Sequence, residues 1–217
     1  MPEGPRNPPL LDPPIRLVVC VSGGGTTLQN LLDRIADGRL RAEVVHVVAS
    51  RPGIGAIVRA ERAGIPVSVE ARGKRPLADF GATVFDPIRR SGADLVVLGG
   101  FLALLPISAD YAGKVINVHP SLIPAFSGKG YHGRAVHQAA IDSGVKLSGC
   151  TVHFADDTYD TGPIIFQVPV PVLNNDSAES LAARVFEAES EALPEAIALY
   201  AAGALRINGR RVRISLD

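Results

Sequence analysis

Asn117 and His119 are the polar side chains that stand out most, because they end an otherwise apolar run, VINVH. Two residues apart in an extended segment, they project from the same side of a strand. An amide beside an imidazole can stabilise a developing oxyanion while the imidazole gives or takes a proton. Pro120 and Pro124 stiffen the chain that follows. A histidine at a strand end can also be purely structural, and the residues alone leave both interpretations open.

A glycine-rich segment, Ser22 to Thr27, joins an apolar run to a helical pattern. Backbone N–H groups at the start of a helix, together with the positive end of its dipole, form an anion site. The hydroxyls of Thr26 and Thr27 can add donors. The segment lacks the Gly-Lys-Ser/Thr of a Walker A loop and the G-x-G-x-x-G of a dinucleotide site. It therefore suits a single phosphate, with a tight threonine-capped turn as the alternative.

An acidic loop, DDTYDTG, follows in the second half at 156–162. A carboxylate close to an imidazole favours the protonated form of the ring. The loop could therefore supply what a catalytic His119 needs, although the sequence does not show that the two meet. A solvated hairpin turn is the alternative.

The remaining histidines and the cysteines give no metal signal. His132, His137 and His153 lack the helical spacing of zinc ligands, so we expect no metal. Cys20 and Cys150 lie far apart within apolar segments, which is typical of inert thiols in a protein core.

The elements that must position these groups follow from the apolar pattern. Five buried strands are predicted in the first half, separated by helices, at 15–21, 43–49, 65–69, 94–98 and 115–118. Two further strands are predicted at 148–154 and 164–172, followed by a long helix to about 202 and a hairpin at Asn208-Gly209. Asp176 and Glu179 predict a capping box at the start of that helix.

This order predicts an α/β fold. Its sheet should be mostly parallel and twisted, with about seven strands flanked by helices. The N-terminal half should be Rossmann-like and the C-terminal half should carry antiparallel strands. Ligands on such sheets bind beyond the carboxyl ends of the strands, which is where the glycine loop and His119 fall.

Composition sets limits on function. The chain has 217 residues, 47% hydrophobic, with 22 basic and 22 acidic side chains, so one globular domain is expected and disorder is not. A net charge of zero argues against a nucleic-acid binder. Six of the 17 prolines fall within residues 1–14, which predicts a disordered, solvated tail before a single domain at 15–217. The absence of a signal-like or membrane-spanning apolar run favours the cytoplasm.

Four segments in this order carry a resemblance: SGGGTTLQNLL, DLVVLGGF, NVHPSLIPAF and GCTVHF…YDTGPII. From about Ile15 to Ala202 the chain closely resembles the phosphoribosylglycinamide formyltransferases, folate-dependent enzymes of purine synthesis. The resemblance implies formyl transfer from 10-formyltetrahydrofolate, as co-substrate, to the amine of glycinamide ribonucleotide. It implies no metal, no nucleic acid and no membrane, and it leaves monomer and homodimer open.

Other members of the wider group share the HPSL-x-P and D-x-G-P-I motifs, which identify the chemistry but not the acceptor. Methionyl-tRNA formyltransferase carries an added C-terminal domain, and formyltetrahydrofolate hydrolase carries a domain ahead of the catalytic one. The length of this chain, the 14 residues before its first strand and its neutral charge favour the ribonucleotide enzyme. A non-catalytic phosphate- or folate-binding module is the third alternative; the joint presence of Asn117, His119 and Asp160 argues against it.

Roles carry over from the family by position. Asn117 and His119 would bind the formyl oxygen and the reacting centre, with His119 as proton donor. Asp160 would stabilise protonated His119 and help to move the proton through water. The ribonucleotide would contact Gly25, Thr26 and Thr27 with its phosphate and Glu189 with its ribose hydroxyls, beside Phe186.

The folate would occupy a neighbouring cleft. Its implied contacts are Asn117, the segment Leu102, Ala103, Leu104 and Leu105, the backbone of Asp156, Asp157, Thr158, Tyr159 and Asp160, and Arg75. Three features depart from the family pattern. The first loop reads GGGTT where many relatives have GNGSN, Ala103 replaces a basic residue, and a longer segment after Pro124 puts Lys129 and His132 at the entrance.

Overall fold

The computed structural model describes residues 13–215. Predictions for the proline-rich tail therefore lie outside the described residues, apart from Pro13 and Pro14. Within this range the strands are β1 Ile15–Val21, β2 Ala42–Ala49, β3 Val67–Val69, β4 Leu95–Leu98, β5 Val115–His119, β6 Leu147–Phe154, β7 Ile164–Pro171, β8 Leu205–Asn208 and β9 Arg211–Ile214. The helices are α1 Thr26–Ala36, α2 Gly55–Arg62, α3 Leu77–Ser91, α4 Arg134–Asp142 and α5 Ala178–Ala201, with a 3-10 turn at Ala109–Tyr111.

All nine described strands form one sheet in the order β3-β2-β1-β4-β5-β6-β7-β9-β8. Strands β1 to β5 are parallel, whereas β6 is antiparallel to both β5 and β7. This confirms the predicted α/β class. The prediction of about seven strands was too low, because the C-terminal hairpin joins the sheet through the pair Ile164 and Arg211.

Both faces of the sheet are covered by helices, which explains the continuous apolar runs of the central strands. In β1, Leu17 and Val19 pack on the face covered by α1, α2, α4 and α5. Val18 and Cys20 point to the opposite face, where Phe80 and other side chains of α3 pack. A strand buried on both faces cannot alternate apolar and polar residues. No helix between residues 13 and 215 is long and apolar enough to cross a bilayer.

The start of α5 differs from the prediction. Ser177 is the N-cap residue, and Ser180 completes the reciprocal capping box. Asp176 instead forms an ion pair with Arg184, with Nη2 and Oδ1 2.8 Å apart, and accepts a hydrogen bond from the backbone N–H of Leu173. These contacts occupy the Asp176 carboxylate one residue before the N-cap. The capping box is therefore formed by Ser177 and Ser180.

Two of the helices contain an internal proline. Helix α3 continues through Pro87, and α5 continues through Pro194. Strand β3 is shorter than predicted and begins at Val67, because Pro66 cannot donate to a neighbouring strand.

Candidate active site

The carboxyl ends of β1, β4 and β5 open into a cleft of about 710 Å³. Thr26 and Thr27 line it from the first loop, and Asn117 and His119 line it from β5. Phe186 and Glu189 of α5 form part of the far wall, and the segment 128–134 borders the cleft as well. The cleft therefore brings together the predicted phosphate, ribose and catalytic residues, with the exception of Gly25, which does not line it.

A smaller cleft of about 60 Å³ lies beside it. Most of the predicted folate residues line this smaller cleft: Ala103, Leu104, Leu105, Asp156, Thr158, Tyr159 and Asp160. Four residues line both clefts, namely Phe101, Asn117, Tyr159 and Asp160. The two clefts therefore meet at Asn117 and Asp160.

Three of the implied folate contacts lie elsewhere. Leu102 lines the larger cleft. The Asp157 carboxylate accepts a hydrogen bond from the backbone N–H of Ile107 at 2.8 Å. Arg75 donates to the Thr83 hydroxyl at 3.0 Å and lies 3.5 Å from Glu70, outside both clefts. The structure does not bring Arg75 to the site, and its assignment stays a prediction.

His119 and Asp160 do meet. Asp160 Oδ2 lies 3.4 Å from His119 Nδ1 and accepts a hydrogen bond from the Gly128 backbone N–H at 2.8 Å. Asp160 adopts a left-handed backbone conformation with φ of 56°, which aspartate tolerates better than most residues. The acidic loop is thus held against the catalytic strand by a turn and a backbone donor.

The opposite ring nitrogen of His119 is also occupied. Nε2 lies 2.9 Å from the carbonyl oxygen of Phe126. A carbonyl oxygen can only accept, so Nε2 must carry a proton. His119 is 4% exposed, and its ring is fixed between the Asp160 carboxylate and this carbonyl. The arrangement leaves a proton on Nε2 and an anion beside Nδ1.

His153 is a site residue that the sequence reasoning missed. Its Nε2 lies 3.1 Å from Asn117 Nδ2 and 3.8 Å from Asp160 Oδ1, and its Nδ1 lies 2.8 Å from the carbonyl oxygen of Phe154. The carbonyl fixes the proton on Nδ1, so Nε2 accepts from the Asn117 amide. Burial lowers the pKa of His153, in agreement with a neutral ring. The tautomer of His153 therefore fixes the orientation of the Asn117 amide.

The signal that could have revealed His153 is the strand register. Antiparallel pairing of β5 and β6 places Asn117 opposite His153 and His119 opposite Thr151. Because side chains alternate along a strand, two polar residues in register share one face of the sheet. The sequence predicted both strands but did not fix this register.

The first loop places backbone donors at the edge of the cleft. Gly25 is the N-cap of α1 and has φ of 76°, so no side chain caps the first turn of the helix. A Cβ atom at Gly25 would lie 2.7 Å from the Cβ of Ala56 in α2. The loop thus needs glycine for its conformation and for its close approach to α2, and the N–H groups of Thr26 and Thr27 remain available to an anion.

Glu189 carries an unusual proton affinity. Its side chain is half-buried in the cleft wall, and burial raises its pKa from 4.5 to about 8. No cation within residues 13–215 is paired with it by a salt bridge. A diol that hydrogen-bonds to the carboxylate would supply the partners that the protein leaves out.

His137 lies 4% exposed in the wall of the same cleft. Burial and the nearby His119 lower its pKa, and its Nδ1 has no hydrogen-bond partner among the described residues. Within residues 13–215 no group of three or more His, Cys, Asp or Glu side chains could hold a metal ion.

Sequence comparison decides the family. A profile described as formyl transferase matches residues 15–197. The chain belongs to the formyl transferase family. Members include the chloroplastic phosphoribosylglycinamide formyltransferase of Vigna unguiculata, which is 40% identical to this chain over 185 residues. That match covers 84% of this chain and 59% of the relative, so the chain spans about three fifths of the length of the plant protein.

Solved structures show the same fold. Glycinamide ribonucleotide transformylase 1 from Symbiobacterium toebii is 38% identical, with a TM-score of 0.85 and coverage of 96% of this chain and 98% of that one. A formyltetrahydrofolate deformylase from Pseudomonas syringae pv. tomato is 26% identical, with a TM-score of 0.82 and coverage of 93% and 66%. The formyl transferase fold thus serves both a transferase and a deformylase.

Proposed function

We propose that this protein transfers the formyl group of 10-formyltetrahydrofolate to the amine of glycinamide ribonucleotide, a step of purine biosynthesis. The observation that carries the proposal is the meeting of two clefts at Asn117 and Asp160. A transfer between two substrates needs both reacting atoms at one point, whereas hydrolysis needs room for only one substrate and water. Holding both substrates in one geometry can contribute about 7 to 11 kcal/mol to the barrier reduction.

The ribonucleotide occupies the larger cleft in this proposal. Its phosphate binds at the N-terminus of α1, where Gly25, Thr26 and Thr27 supply backbone and hydroxyl donors. Its ribose hydroxyls donate to Glu189, beside Phe186. The pterin occupies the smaller cleft, against Leu104, Leu105 and the acidic loop.

The reaction begins when the glycinamide amine attacks the formyl carbon. A C–N bond forms, and the formyl oxygen becomes an oxyanion. The second N–H of the Asn117 amide donates to that oxygen, because the first is held by His153. The Nε2 proton of His119 adds a second donor, since a charged oxyanion is a stronger acceptor than the Phe126 carbonyl that it replaces.

Collapse of the intermediate completes the transfer. The bond from carbon to the folate N10 breaks, N10 gains one proton and the attacking nitrogen loses one. Asp160 and His119 relay this proton with the help of water, because the carboxylate stabilises an imidazolium 3.4 Å away. The products are formylglycinamide ribonucleotide and tetrahydrofolate, with atoms and charge in balance.

The test mixes the purified protein with both substrates and follows tetrahydrofolate release and formylation of the ribonucleotide. We expect both products in equal amounts, and no tetrahydrofolate without the ribonucleotide. Equal release with and without the ribonucleotide would instead assign hydrolysis, the activity in the name of the Pseudomonas relative. Binding of both ligands with no turnover would assign a non-catalytic binding module.

Folate as the only cofactor, a monomer or homodimer, and a cytoplasmic location stay predictions. The plant relative is named as chloroplastic, so the relative's name does not support a cytoplasmic location. Fractionation and sedimentation of the full chain would decide the last two.

A further inference from the structure

We propose that Ser22 is a positioning residue that holds the folate-binding segment 100–105 in register with the phosphate loop. The inference rests on the proposed function, because it deepens the roles of the two loops. Ser22 is the first residue after β1 and is 3% exposed. Its polar groups must therefore find their hydrogen-bond partners within the protein. Its polar groups all bond to neighbouring loops.

Two of these bonds reach the loop after β4. The backbone N–H of Ser22 donates to the Gly100 carbonyl at 3.1 Å. The Ser22 hydroxyl accepts a hydrogen bond from the Leu102 backbone N–H at 2.9 Å. The Leu102 contact spans 80 residues of sequence, and the two contacts together fix both ends of the segment from Gly100 to Leu102.

The other bonds tie Ser22 to the loop after β2. The Ser50 hydroxyl donates to the Ser22 hydroxyl at 2.7 Å, and Arg51 Nε donates to the Ser22 carbonyl at 3.1 Å. The hydrogen bonds from Ser50 and Arg51 therefore fix the position of Ser22. Its hydroxyl in turn gives the Leu102 N–H an acceptor in a fixed place. A flexible surface serine could not set the position of a neighbouring loop in this way.

The segment that Ser22 holds leads directly into the smaller cleft. Leu102 lines the larger cleft, and the next three residues, Ala103 to Leu105, line the smaller one. The Leu102 carbonyl lies 3.5 Å from the Tyr159 hydroxyl, which belongs to the acidic loop. A shift of Leu102 would therefore move the folate side of the junction while the donors of Thr26 and Thr27 stay in place.

Ser22→Ala removes the acceptor and leaves the Leu102 N–H unpaired in a partly buried position. The unpaired N–H favours a shift of Leu102 toward water or another acceptor, and folate binding must reverse that shift, so we expect folate binding to weaken about tenfold. We expect the KM for 10-formyltetrahydrofolate to rise about tenfold, with kcat and the KM for the ribonucleotide within about twofold of the parent. Calorimetry with tetrahydrofolate should show the same weakening.

Two variants serve as controls. Ser50→Ala removes a hydroxyl from the same network but leaves the Leu102 contact, so its folate KM should match that of the parent. Ser22→Thr keeps the accepting hydroxyl and should restore most of the folate affinity. If Ser22→Ala does not fold, Ser22→Cys keeps a similar volume with a weaker acceptor and should raise the folate KM several-fold.

The outcomes separate the inference from the proposed function. A parent protein that does not formylate the ribonucleotide would overturn the proposed function, and the inference with it. An active parent together with an unchanged folate KM in the folded Ser22 variants would overturn the inference alone. A purely structural role would raise both KM values and lower Tm together, which would also overturn it.

Discussion

The two halves of the sheet supply different kinds of group to the cleft. The parallel half, β1 to β5, contributes backbone donors at the N-terminus of α1. The antiparallel half contributes ionisable side chains: His153 from β6, Asp160 from the following loop and Glu189 from α5. Asn117 and His119 lie in β5, where the two halves meet.

This difference predicts how substitutions act. Contacts made by the backbone tolerate a change of side chain, whereas contacts made by a side chain do not. A backbone N–H persists when the side chain changes, so under the proposed function the phosphate site survives the change from GNGSN to GGGTT. A carboxylate that controls the protonation of a neighbouring histidine cannot be replaced by a backbone group. We therefore expect substitutions on the antiparallel side and at β5 to affect turnover, and those in the first loop to affect the affinity for the ribonucleotide.

Asn117→Ala should have the largest effect. It removes one oxyanion donor, which typically lowers turnover by about 10²- to 10³-fold. Thermal unfolding should remain close to that of the parent. Asn174→Ala, in an exposed loop, is the matched control and should keep full activity. Turnover of Asn117→Ala within tenfold of the parent would exclude the proposed role.

Asp160→Asn should come next, with kcat lowered about 10²-fold. The amide keeps an oxygen that can accept from Gly128 but removes the negative charge beside His119. Single-turnover kinetics would locate the loss in the chemical step. Asp142→Asn removes an exposed charge at the end of α4 and should leave kcat unchanged. A similar loss in both variants would refute a specific role for Asp160.

Gly25→Ala should raise the KM for the ribonucleotide about tenfold and lower Tm, because it adds a Cβ both to a left-handed residue and into Ala56. Gly38→Ala is a close control: its φ is also 76°, but nothing lies within 4 Å of the added Cβ. Gly38→Ala should show the conformational cost alone, about 1 to 2 kcal/mol, with normal kinetics. Equal changes in the two variants would mean that the close approach to α2 is unimportant.

Glu189→Gln should have the smallest effect on kcat, and its effect on stability should depend on pH. The pKa of Glu189 in the folded protein, about 8, lies above its ordinary value of 4.5. The unfolded chain therefore ionises first as pH rises, and the parent loses stability between pH 4.5 and 8. The variant lacks this loss, so its Tm should exceed that of the parent by several degrees at pH 9 but not at pH 4.

The control for this pH dependence is Glu187→Gln, an exposed residue on the same helix. It makes the same change in charge without burial, and the Tm difference from the parent should not vary with pH in this way. If both variants behave alike, the burial of Glu189 does not set its proton affinity.

The sequence was sufficient for the strand-helix order, and the family resemblance singled out Asn117, His119 and Asp160, which the structure brings together. Continuous apolar runs such as IRLVVCV are typical of strands buried on both faces, and the glycine loop follows the first of them. Arg75 is a predicted folate residue that lies apart from this group, since in the structure it contacts Thr83 and Glu70 and lines neither cleft. The predicted capping box did not form at Asp176, because the Asp176 carboxylate pairs with Arg184, eight residues further along the chain.

By itself the sequence determined the α/β class, the glycine loop between β1 and α1 and the polar pair at the end of β5, because these depend on periodicity and on neighbours in the chain. Only the tertiary structure decided that His153 fixes the Asn117 amide, that Ser22 holds Leu102 and that two clefts meet at Asp160. Those contacts join residues tens of positions apart. Their geometry follows from strand register and loop packing, which no local pattern of residues encodes.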